Sequence, residues 1–182
     1  MSPGSGRLTG KVCVITGAAG AFAETVADRL TGEGATVVGV DRRVHGVGVP
    51  SLQHDLTDED QVRDFSARVK RDLGRIDVLY NNAGLNDPAD HSALDMPLPV
   101  WDRVLAANLT TTFLCCKHVI PHMLNNDPPS GSVINTASFL AVMAAASSRR
   151  RPNARTRTWV DSAHSGQPLH GPGRQTSAPG RT

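Results

Sequence analysis

KVCVITGAAGAFAETVADRL, residues 11–30, changes period in the middle, and that change decides the fold. Its first seven residues, KVCVITG (11–17), form a short β-branched apolar run of the kind that suits a strand buried on both faces. Gly17 ends the run. Ala23, Val26, Ala27 and Leu30 then recur at the i, i+3, i+4, i+7 spacing of one helix face, with Gly32 and Gly34 as a stop. A second apolar run, ATVVGVD, closes at Asp41, so residues 11–41 read as strand, helix, strand.

The alternation continues outward. SLQHDL gives a weak third strand, Thr57 or Asp58 can cap a helix over 59–73, and Val62, Phe65, Val69 and Leu73 line one side of it. RIDVLYNNAG reads as a fourth strand, PVWDRVLAANLTTTFLCCKHVIPHML as one long helix, and GSVINTAS as a fifth strand. Strands alternating with helices of this length imply an α/β fold, a doubly wound parallel sheet with helices on both faces. The 182 residues fit one domain.

Beyond about Ser148 the pattern stops. Residues 149–182 carry seven Arg against the single Asp161, whereas residues 1–148 carry twelve basic and sixteen acidic side chains. The expected organisation is therefore a domain over 1–148 and an Arg/Pro/Ser/Gly-rich disordered tail over 149–182, too poor in apolar side chains to offset the entropy of ordering it. The abrupt change reads as a shifted frame or an aberrant splice that replaces every later element. Cys13, Cys115 and Cys116 read as buried thiols rather than a disulfide framework. No signal peptide or membrane span is visible, and a cytoplasmic protein is expected.

A strand that ends in a Gly-rich turn and opens a helix suits a dinucleotide pyrophosphate, because bare N–H groups and the positive helix end face the anion. Here the turn reads TGAAGAFA, and Asp41 closes the second strand where a carboxylate can accept from a ribose. With HDLTD, YNNAG, AANLTTTF and GSVINTAS following in order, residues 7–148 resemble the short-chain dehydrogenase/reductase family. The resemblance implies a Rossmann-like sheet of strand order 3-2-1-4-5, homodimers in intact relatives, and hydride transfer between a nicotinamide cofactor and a small-molecule alcohol or ketone. It places the cofactor on Gly17, Ala19, Gly20, Ala21 and Phe22 of the turn, on Asp41 and Arg42, on Asp55 and Leu56 beside the adenine, and on Asn82, Ala83 and Gly84.

Asp41 points to NAD over NADP by repelling a 2′-phosphate, although Arg42 and Arg43 could bind that phosphate. The family's second and third turn glycines fall on Ala21 and Ala23, which puts the fit to phosphate in question; Gly20 and a small loop adjustment could restore it.

For catalysis the resemblance assigns Ser138 to the substrate oxygen and Asn108 to a water in the proton relay. The family's Tyr and Lys, which move the alcohol proton, have no counterpart: the only tyrosine is Tyr80 and the last lysine is Lys117. His164 and His170 lie in the tail, where nothing positions them, and His118 and His122 read as a solvated pair rather than a metal site. Two readings stand: an oxidoreductase by descent, impaired in this chain, or a non-catalytic nucleotide-binding or regulatory remnant. Loss of the later elements is expected to bare the fifth strand and to leave the long helix around Asn108 to Leu124 without the partner that the resemblance implies for it in homodimers. A nucleic-acid arm is set aside, since Trp159 is the tail's one aromatic residue and the rest of the chain is acidic.

Overall fold

The computed structural model describes residues 6–43, 49–90 and 95–138. The expectations for the tail beyond Ser148, and for His164 and His170, lie outside the described residues.

The order of elements is β1 (Val12–Thr16), α1 (Ala21–Gly32), β2 (Thr36–Asp41), β3 (Ser51–Gln53), α2 (Glu59–Leu73), β4 (Val78–Asn81), α3 (Leu98–Leu105), a π turn (Ala106–Thr110), α4 (Thr111–Leu124) and β5 (Ser132–Asn135). All five strands form one parallel sheet in the order β3-β2-β1-β4-β5, as the resemblance implied. In register, Val12 stands opposite Thr36 on one side, and Cys13 opposite Val78 on the other.

The period-two pleat of β1 sorts its side chains between two cores. Val12 and Val14 face α2 and α4, where Phe65, Val69, Val119 and Met123 cover them. Cys13 and Ile15 face α1, where Ala23 and Ala27 press close. A strand buried on both faces is what an unbroken apolar run requires, and all of β1 is buried. The same burial pushes the Cys13 thiol up to about 11 and the Cys115 thiol up to about 12, so both behave as small apolar side chains.

Asp58 caps α2, accepting from the amides of Asp60 (2.9 Å) and Gln61 (3.2 Å), while Gly74 ends it in the left-handed region at φ 77°. Four details depart from expectation. Leu73 is exposed rather than part of the buried line, because it sits at the end of α2 where the sheet no longer backs the helix. The third strand stops at Gln53, since Asp55 turns the chain by accepting from the amide and hydroxyl of Thr57. The long helix is broken by the π turn at Ala106–Thr110. His118 is not a solvated residue: its Nε2 lies 2.9 Å from Glu59 Oε1, which also accepts from Lys117 at 2.7 Å, joining α4 to the start of α2. His122 is partly buried, and that burial, followed by the Lys70 and His118 charges, holds it below the ordinary imidazole value.

At the end of the sheet away from the Gly-rich turn, buried Asp77 accepts from Lys11 Nζ (3.1 Å), the Val12 amide (2.9 Å), and Arg75 Nε (2.7 Å) and Nη2 (2.6 Å). Burial works to raise its pKa, but these donors outweigh it and hold the carboxyl below its usual range. This one side chain joins β1 to β4. Among the described residues no helix is long and apolar enough to cross a membrane.

Candidate functional site

The C-terminal ends of β1, β2 and β4 meet at the turn after β1. Thr16, with 1% of its surface exposed, is the knot: its hydroxyl accepts from the amides of Asn82 (3.0 Å) and Ala83 (3.1 Å) and contacts the Tyr80 carbonyl at 3.4 Å. Asn82 returns the contact through Nδ2 to the carbonyls of Thr16 (3.3 Å) and Gly17 (3.4 Å). Gly17 takes φ 68°, and a Cβ there would stand 2.7 Å from the Ala83 Cα, so only glycine lets the NNAG backbone come this close. The turn needs that contact to hold its shape.

Gly20 is the N-cap of α1, and no side chain caps the first turn, so that turn presents its amides to an anion. Ala23, which replaces a family glycine, is 1% exposed and packs among the residues of the α1 core. Its methyl is accommodated between helix and sheet. Ala21 and Phe22 are exposed, and Phe22 keeps 76% of its surface accessible.

Asp41, at the end of β2, binds the turn directly: Oδ2 accepts from the Ala19 amide (3.1 Å) and Oδ1 from the Arg43 amide (2.9 Å). The Arg43 guanidinium bridges the same two segments, donating to the Ala19 carbonyl at 3.3 Å and lying 3.8 Å from Asp41 Oδ1. Arg42 also reaches the cleft, while its carbonyl accepts from Gln53 Nε2 (3.1 Å).

A cleft of about 730 Å³ opens here. One wall carries Gly17, Asp41, Arg42, Arg43 and Asp55 to Thr57; the other carries Ala83 to Leu85, Arg103, Ala106, Ala107 and Thr111. Of the residues marked out in the sequence, Gly17, Asp41, Arg42, Asp55, Leu56, Ala83 and Gly84 therefore line one cavity. Ala19, Gly20, Ala21 and Phe22 form the adjoining turn, and Asn82 stands behind it as a brace. Thr57, Leu85, Arg103 and the small residues of the π turn were not foreseen. Their neighbourhood depends on the π turn, which carries no local sequence signal.

Asn108 lies within that turn, and its side-chain amide is fully engaged with one residue: Oδ1 accepts from the Leu85 amide (2.6 Å) and Nδ2 donates to the Leu85 carbonyl (3.1 Å). This pair of bonds mimics a strand partner and ties α3 and α4 to the loop after β4. Ser138 lies three residues past the end of β5, partly buried, and does not line the cleft. Tyr80 is held on β4, its phenol 3.0 Å from the Thr136 hydroxyl. Lys117 is held on α4 by Glu59. Neither can stand beside the other after Ser138. Among the described residues, no group of three or more His, Cys, Asp or Glu gathers as metal ligands.

Residues 11–149 match the model of the short chain dehydrogenase family. The chain belongs to the short-chain dehydrogenase/reductase family. An uncharacterized oxidoreductase of Bacillus subtilis, YxbG, is 39% identical over 146 residues, covering 74% of this chain and 52% of that protein. The crystal structure of NAD+-bound xylitol dehydrogenase superposes with a TM-score of 0.65 at 33% identity, covering 75% of this chain and 56% of that one. The 3-ketoacyl-(acyl-carrier-protein) reductase of Brucella melitensis, complexed with NADH, gives 0.67 at 30%, covering 74% and 60%. This family member thus spans about half the length of the relatives it matches.

Proposed function

We propose that this chain binds a nicotinamide adenine dinucleotide in the cleft, NAD in preference to NADP, and does not itself turn over an alcohol or ketone. The observation that carries the binding half is the Asp41 carboxylate fixed against the Ala19 amide, beside an uncapped helix start. A carboxylate has lone pairs left after two amide bonds, enough to accept from ribose hydroxyls. Its charge opposes a 2′-phosphate, and Arg42 and Arg43 offset part of that repulsion. The two cofactor-bound relatives support the same reading.

When bound, a nicotinamide supplies a hydride donor or acceptor. The chain's own residues would hold the adenosine end between Asp41, Asp55 and Leu56, and the phosphates at Gly17 and Ala19 to Phe22. Ser138 would face the substrate oxygen. No tyrosine and lysine follow it to move the proton, and the chemistry lacks its acid. We assign the binding domain to residues 1–148 and the appended tail to 149–182. In full-length relatives the same residues would serve an alcohol or ketone oxidoreductase, in the form of a homodimer.

Calorimetric titration of the 182-residue chain tests this directly. NADH is expected to bind saturably and NADPH about tenfold more weakly, the gap closing in Asp41→Ala. Failure of both cofactors to bind sinks the proposal; steady-state ketone reduction by the pure chain sinks its non-catalytic half.

A further inference from the structure

The loop that follows β4 is tied to α3 and the π turn at two points. Asn108 holds Leu85 by both its amide and its carbonyl. Two residues further along the loop, Asp87 accepts from Arg103 Nε (2.9 Å) and Nη2 (2.5 Å) on one carboxylate oxygen, Oδ2. Its other oxygen, Oδ1, accepts from the Ala89 amide at 2.9 Å, and its carbonyl accepts from the Asp90 amide at 3.0 Å, so the loop itself aims the carboxylate at the guanidinium. The Asp87 side chain keeps only 12% of its surface exposed, against 53% for Arg103. The Ala89 amide first, and then Arg103, hold the Asp87 carboxyl below its usual range, so the pair is charged at neutral pH.

Where the pair stands decides what it can do. Leu85 and Arg103 line the cleft, and Ala83 and Gly84, which lead into the loop, line it too. A loop fixed only at Leu85 could still swing about that point; a second tie at Asp87 removes the freedom. An ion pair with one exposed partner adds little to overall stability, because water and salt screen it. Fixing a binding surface before the ligand arrives has a larger effect on affinity, since the ligand no longer has to order it.

We propose that Asp87 is a positioning residue for the bound dinucleotide, acting through Arg103 to hold Leu85 to Asp87 against α3 and so to pre-form the cleft wall that the ligand meets. This rests on the reading of the cleft as a dinucleotide site and adds to it a residue that does not itself line the cleft.

The test titrates NADH into the full chain and its variants, followed by nicotinamide fluorescence, at a temperature where circular dichroism shows each to be folded. Asp87→Asn keeps an acceptor for the Ala89 amide but sets an amine against Arg103, and should weaken NADH about fivefold through faster release. Asp87→Glu keeps the charge and should return affinity to within about twofold of the wild type. Arg103→Met should match the loss in Asp87→Asn, and the two substitutions together should cost no more than either alone, because both break one tie. Wild-type affinity in Asp87→Asn, an equal loss in Asp87→Glu, or additive losses in the double variant would each overturn the assignment, additivity meaning that Arg103 meets the ligand on its own account. Should Asp87→Asn not fold, Arg103→Met at an exposed side chain carries the test, and unchanged affinity there overturns the proposal. A wild type that binds no NADH overturns instead the reading of the cleft on which this rests.

Discussion

The two halves of the sheet are covered unequally. In the half built from β1, α1, β2 and β3, every residue of β1 is buried, and four residues of β2. In the other half, β5 alternates between exposed and partly buried residues, and Ile134 keeps 47% of its surface accessible. Its tie to β4 is a four-residue parallel ladder, extended by the Thr136 amide donating to the Asn81 carbonyl (2.9 Å). The cleft draws one wall from the first half and the other from the loop after β4, α3, the π turn and α4, whereas Ser138 follows β5 and does not line it. The strand that opens the Gly-rich turn is thus fully covered, and the strand that leads to Ser138 is the less covered of the pair.

The most damaging substitution should be at the seam between the halves. Asp77→Asn removes a buried charge that four donors address and is expected to cost about 3 kcal/mol of stability, read from urea unfolding. Because the folded Asp77 pKa is depressed, its stabilisation is complete above the unfolded value of about 3.9 and is lost as pH falls through the lower folded value. The wild type should therefore lose its advantage over the variant below about pH 4; a difference that stays constant down to pH 2 would remove Asp77 from that account.

Gly17→Val comes next. It puts a side chain at φ 68° and 2.7 Å from Ala83, for about 2 kcal/mol or more, and should abolish NADH binding even at temperatures where the variant stays folded. Binding retained at wild-type strength would mean that the turn reshapes freely. Asn108→Leu leaves the Leu85 amide and carbonyl unpaired and is expected to cost about 1–2 kcal/mol, with a weaker NADH titration because the cleft wall loosens. At the small end, Ile134→Thr on β5 should change stability by no more than about 0.5 kcal/mol and reduce self-association in light scattering. A large loss there would show β5 to be as covered as β1.

How much could be read in advance follows the same division. β1, α1 and β2 were legible because a doubly buried strand and a one-sided helix write different periods into the chain. Asp58 as a cap and Gly17 as a turn were legible because their chemistry is local. The π turn was not: its helical residues have ordinary propensities, and the partner of its Asn108 side chain, Leu85, lies 23 residues back in the chain. Arg103 escaped notice for the same reason, since its partner Asp87 lies 16 residues away in a loop. His118 was misjudged because Glu59, 59 residues distant, faces it from another helix. Contacts of this range leave no mark on a short window of sequence.

The π turn also has a phase effect. An α-helix advances about 100° per residue, so the widened turn offsets the azimuth of α3 from that of α4 by roughly one residue's rotation. Excising a single residue from Ala106–Thr110 would let one continuous helix form. In that straightened rod Arg103 and the former Thr111 would stand seven residues apart, about 700° around the axis, and would keep a common side; what would change is the turn between them, where Ala106, Ala107 and Asn108 stand.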